Sequence, residues 1–134
     1  MRKLLTLIAG SLLIGGVAQA KAPDREAEIE RAVRGRVAGE AVDCIDLHRV
    51  HSSRIIQDTA IVYDAGGVIY VNRPRAGAQS LDRSDTMVNR LYGNSRLCSI
   101  DTVTMIDPVS GTFRGTVFLG EFVPYRRVQT GSAD

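Results

Sequence analysis

Thr59-Ala60-Ile61-Val62-Tyr63, Asp64-Ala65-Gly66-Gly67 and Val68-Ile69-Tyr70-Val71-Asn72 follow one another without a break. Two runs rich in β-branched and aromatic residues, joined by a short glycine-bearing turn, make a β-hairpin. Pro74 stops the second run, because proline has no amide to give to a ladder. Working outward, Val42 to Leu47 alternates at a period near two, as a half-buried strand does, and Arg54-Ile55-Ile56-Gln57 is a second short strand-like run. Downstream, Arg75 to Asp82 is loop. Ser84 to Leu91 is expected as a short helix or turn capped by Ser84, with Met87, Val88 and Leu91 on one face, although an irregular strand fits the same residues. Thr102 to Ile106 is a strand closed by Asp107-Pro108. After the Ser110-Gly111 turn, Thr112 to Val123 returns as another, with bends or a bulge expected at Gly115 and Gly120.

Upstream of the strands, residues 21–40 are expected to carry one helix. Asp24 is a capping residue, Glu26 and Glu28 stand in the first turn, and Arg31, Arg34 and Arg36 lie toward the end, an order that suits the helix dipole. Its apolar stripe, from Ala27 to Val37, is thin, so the helix lies on the core rather than building it. Gly39 is the expected stop. The fold class is therefore mainly β: a small antiparallel barrel or sandwich of five to six strands over residues 41–127, with one N-terminal helix packed on it and a disordered tail at 128–134.

Residues 1–20 have the form of a secretory signal peptide. Met1-Arg2-Lys3 is a positive start, Leu4 to Val17 an apolar run too short to span, and Ala18-Gln19-Ala20 a cleavage pattern. The expected mature chain starts at Lys21, is periplasmic or secreted, and has no membrane span. The whole chain holds 17 basic and 15 acidic residues. Arg2 and Lys3 leave with the leader, so the remainder carries no net charge, which argues against capture of nucleic acid or anionic membrane by a broad basic patch. Lys21 is the only lysine left; the arginine excess is a compositional bias. Cys44 and Cys98 are the only cysteines. In an oxidising compartment they form a structural disulfide, which closes a long loop and stabilises by about 4 kcal/mol. A redox pair would need closer spacing.

Four groups could carry chemistry, and each also has a plain structural reading. His48-Arg49-Val50-His51 beside Asp46 holds two metal-ligating side chains, but in an extended segment they point to opposite faces. Solvated histidines are expected, with no metal and no cofactor. Ser52 and Ser53 follow His51 without any nucleophile-elbow motif. Among the aspartates Asp101, three residues after Cys98, is the best acid–base candidate; the structural reading makes it a hydrogen-bond acceptor that fixes the strand, with Arg54 as its partner. Asp64-Ala65-Gly66-Gly67 lacks the lysine and the following helix of a phosphate loop. The tyrosines and phenylalanines fit core positions and cross-strand pairs.

Several short motifs recur in a recognisable arrangement: Cys44-Ile45; Ser53-Arg54-Ile55-Ile56 followed by Asp58-Thr59-Ala60-Ile61; Gly67-x-x-Tyr70-x-Asn72; Leu97-Cys98-x-x-Asp101-x-Val103-x-Met105; and Leu119-Gly120-x-Phe122-x-Pro124. In these the chain resembles a domain-of-unknown-function family of small exported proteins of Gram-negative bacteria, from Cys44 to Tyr125. The resemblance implies an address and a topology but no reaction. It also marks a departure, because relatives carry two further cysteines near the positions of Ala78 and Val117. Joint loss of a second disulfide would leave those two positions adjacent, with Cα atoms about 4–7 Å apart. The function expected is an uncharacterised cell-envelope role as a non-enzymatic interaction or small-ligand-binding module, its partner an envelope protein or a small ligand. The alternative is an envelope enzyme or metal-binding protein with a site drawn from His48, His51, Asp101 and Arg54.

Overall fold

A computed structural model describes residues 24–129 together with Gly15 and Gly16. The expected leader otherwise lies outside the described residues, as do positions 130–134 of the expected tail. Among the described residues there is one α-helix, α1 (Arg25–Ala32), and ten strands. In chain order the strands are β1 (Arg36–Ala38), β2 (Cys44–Asp46), β3 (Ser52–Ile56), β4 (Ala60–Asp64), β5 (Val68–Asn72), β6 (Thr86–Asn89), β7 (Arg96–Cys98), β8 (Thr102–Ile106), β9 (Phe113–Phe118) and β10 (Phe122–Arg127). Every pairing is antiparallel, in three sheets ordered β1-β10-β5-β4-β3, β6-β8-β9 and β2-β7. The architecture is a sandwich rather than a closed barrel, and it uses more and shorter strands than the five or six expected.

The β4–β5 hairpin forms the centre of the five-stranded sheet. Asp64 accepts the Gly66 amide at 2.8 Å inside the turn, and Gly66 takes φ 76°, which a Cβ would penalise. The two faces of the hairpin are both covered. Ile61 and Tyr63 enter a cluster with Ile55, Met105 and Phe122, against the two smaller sheets. Ala60, Val62, Ile69 and Val71 enter another cluster with Ile29 of the helix. The result is three layers, helix on sheet on small sheets. Burial on both faces accounts for the unbroken apolar run from Ala60 to Tyr63, where a half-solvated strand would alternate.

Three segments differ from expectation. The helix ends at Ala32 instead of running toward Gly39. Asp24 caps it as expected, but Gly35 turns the chain at φ 74°, and Val37 becomes a β1 residue left 58% exposed. Ser84 to Leu91 holds a strand and no helix: Met87 pairs with Met105 and packs on the inner cluster, while Val88 points out. The period is two, and the β8 edge supplies the backbone partners a short helix would need to find within itself. Finally, Thr112 to Val123 is split. The chain leaves the three-stranded sheet after Phe118 and joins the five-stranded one at Phe122. Buried Asn72 clasps this crossing, donating to the Gly120 carbonyl at 2.7 Å and accepting the Gly120 amide at 3.0 Å. A Cβ on residue 120 would run into the Arg73 carbonyl, so glycine is required. Pro124 sits within β10 without costing a ladder bond, because β1 has ended at Ala38 and only its carbonyl is used, accepting the Gly39 amide at 2.7 Å.

Cys44 and Cys98 stand directly opposite in the β2–β7 ladder and are joined, with Cα atoms 4.0 Å apart. A structural disulfide accords with an oxidising, extracytoplasmic compartment. No helix among the described residues is long and apolar enough to cross a membrane. The turn carrying Ala78 packs on β9: an ideal Cβ on Gly77 would lie 3.2 Å from the Val117 Cα.

Candidate binding cleft

The middle sheet stops at β3, but the layers on either side do not. Helix α1 covers one face near this edge, and β6 with the turn before it stands on the other. Between them lies a cleft of about 590 Å³, lined by Glu28 and Arg31 from the helix, Ser53 and Arg54 from β3, Arg83 from the turn and Met87 from β6. The helix wall is anchored by buried Ile29 and by two ion pairs to the body. Glu26 accepts two bonds from the Arg73 guanidinium, at 2.8 and 2.7 Å, and Glu28 is paired with Arg83. These arginines, chiefly through the hydrogen bonds they donate, hold both carboxyls below the ordinary glutamate range.

The charge in the cleft is uneven. Glu28 is taken by Arg83 and Arg25, and Asp85, whose side chain is 6% exposed, is paired with Arg114 at 3.5 Å. Arg31 and Arg54 have no acidic partner among the described residues. Alternation along β3 sets their relation: Ile55 faces the inner cluster and Ile56 the helix cluster, so Arg54 shares the helix face on which Arg31 stands. The β6 wall of the cleft is apolar at Met87, which packs on the inner cluster.

Of the residues singled out from sequence, Ser53 and Arg54 line this cleft, and His51 does not join them there. Asp101 lies in a separate hollow on the outer face of the three-stranded sheet, beside Val88, Tyr92 and Ile100. Its carboxylate accepts the Cys98 amide at 2.7 Å while its own amide donates to the Cys98 carbonyl at 2.9 Å. Asp101 is thus the backbone acceptor expected of it, closing the turn after the disulfide, but its partner is that turn and not Arg54. His48 and His51 are exposed. His48 belongs to a one-turn 3₁₀ segment, Leu47–Arg49, capped by Asp46, which accepts the His48 amide at 3.0 Å and the Ser95 hydroxyl at 2.9 Å. Those bonds, the backbone one foremost, hold the Asp46 carboxyl below its usual range. No three metal-ligating side chains converge among the described residues.

Arg31, Arg83 and Met87 were not candidates from sequence. They come from three separated segments, and no local motif ties them together. Tyr63 lies in the core, its ring 5.8 Å from that of Phe122; its hydroxyl has no hydrogen-bond partner, and burial pushes its ionisation upward. Compared with known families, curated proteins and solved structures, the chain matches none.

Proposed function

We propose that this chain is an exported, non-enzymatic binding module of the Gram-negative cell envelope, released from its leader after Ala20, whose ligand seats in the cleft between α1, β3 and β6. One observation carries this reading: the central sheet ends on a strand at the floor of a walled cleft in which two arginines have no acidic partner among the described residues. The site is concave and mixed in character, with Ile55, Ile56 and Met87 giving apolar surface beside several convergent charged groups. The signal-like leader and the disulfide support the compartment. The proposed kinship with the exported family of unknown function rests on the short motifs it shares; the turn carrying Ala78 packs on β9, the strand that carries Val117. The alternative of an enzyme or metal site is less favoured. It needs His48, His51, Asp101 and Arg54 around one pocket, and Asp101 and Arg54 line different hollows.

The test is retention from a periplasmic extract on immobilised mature chain, wild type beside a double variant Arg31→Glu/Arg54→Glu. An envelope component held by the wild type and released by the variant supports the cleft as the binding site. Equal retention by both contradicts it.

A further inference from the structure

We infer that β3 is the receiving edge for an extended segment of a partner protein in which acidic and apolar residues alternate, adding as a sixth strand of the central sheet. This rests on the cleft being the binding site and names its occupant. β3 is bonded on one side to β4, and no backbone partner for Ser52 to Ile55 exists on its other side among the described residues. Unpaired strand edges are templates for strand addition, with main-chain bonds giving affinity and alternate side chains giving specificity. Here the edge is also walled: an incoming strand would continue the middle layer between α1 and β6. Five residues span about 17 Å, so a segment of six or seven residues fills the site.

The chemistry of the walls sets the pattern. Side chains of the added strand on the helix face would meet Arg54 and Arg31, the arginines without acidic partners, and carboxylates fit there. Those on the opposite face would meet Met87 and the Ile55 side, and apolar groups fit there. Charge also disfavours a second copy of this chain. Arg54 is the middle residue of Ser52–Ile56, so a symmetric antiparallel β3–β3 pairing would set Arg54 opposite itself, and like charges directly opposite destabilise a ladder.

The experiment is a fluorescence-anisotropy titration of the mature chain with labelled peptides at low salt. The probes are Thr-Glu-Val-Glu-Val-Glu-Thr, an isomer with its glutamates contiguous, a lysine-for-glutamate version, and an alternating peptide N-methylated on alternate residues. Binding of the first peptide is expected to weaken about tenfold in Arg54→Glu, and also about tenfold between roughly 50 and 300 mM salt. Arg54→Glu should prefer the lysine peptide. The contiguous and N-methylated peptides should bind at least about tenfold more weakly, since strand addition needs both the period and the amides. Equal binding of all acidic peptides, or no response to Arg54→Glu, overturns the inference. If acidic peptides fail while an extract component is still lost on Arg31→Glu/Arg54→Glu, the occupant is wrong and the cleft role stands. If both fail, the role falls too.

Discussion

The two edges of the central sheet are finished in opposite ways. At one edge β1 is only three residues long, and the chain ties it down itself. The Arg36 guanidinium donates to the Gly67 carbonyl at 3.0 Å and to that of Gly66 at 3.2 Å, and Gly39 and Val42 extend the pairing along β10 toward the Asn72–Gly120 clasp. At the other edge β3 has five residues, a straight register with β4, and at its centre an arginine with no acidic partner among the described residues. Proteins guard exposed edges with short strands, covering loops or inward charges. The first edge has the short strand and the covering contacts; the second has a cleft. The difference sets the β3 edge apart as the surface proposed to receive a partner.

The largest effect expected is on the frame that both edges share. Replacing Cys44 and Cys98 together by alanine removes the bridge across β2 and β7 and should cost about 4 kcal/mol in chemical denaturation, lowering both edges alike. Ile29→Ala acts on the open side only. It should cost about 2–3 kcal/mol, because Ile29 is the buried anchor of α1, and it should weaken cleft binding as the helix wall loosens. If denaturation shows no loss, α1 is not held through Ile29.

Acid should loosen the same wall. Glu26 and Glu28 titrate lower in the folded protein than their ordinary 4.5, through Arg73 and Arg83. The unfolded chain therefore takes up protons first. The stability from these pairs is full above about pH 4.5 and is lost as pH falls through the folded values. The Glu26–Arg73 pair is exposed and Glu28 lies against a half-exposed Arg83, so the effect is small and should shrink with salt. Tyrosine-independent far-ultraviolet circular dichroism below pH 4 should report loss of helix before loss of sheet; simultaneous loss would contradict it. The smallest effects separate the edges themselves. Arg36→Ala should destabilise by about 0.5–1 kcal/mol through its lost carbonyl bonds, whereas Arg54→Ala should stay within about 0.5 kcal/mol. Equal costs would mean that Arg54 is tied down as firmly as Arg36.

Much of the fold was legible where short-range rules decide. The Asp64–Gly67 turn, the Asp24 cap, the Thr102–Ile106 strand and the Cys44–Cys98 pairing depend on neighbouring residues or on a single possible connectivity. The sequence is ambiguous where a distant partner decides. Met87 and Val88 fit a helix face or a strand equally, and only β8 settles the matter. Val37 matched the helical stripe until Gly35 turned the chain. The cleft was nearly invisible for the same reason. Arg54 is a candidate from sequence, but grouped with Asp101, His48 and His51, because nothing local shows that β3 ends a sheet. Arg31 and Arg83 are ordinary surface arginines until the layers bring them to that edge.

Amide hydrogen exchange across β3, β4 and β5, with and without the alternating acidic peptide, tests the open edge most directly. In the free protein the β4 and β5 amides are expected to be protected close to the global stability. The outward amides of Ser52 to Ile55 should exchange far faster, and slow at least about tenfold when the peptide is bound. Outward β3 amides already as protected as those of β4 in the free chain, or unchanged on peptide saturation, would contradict it.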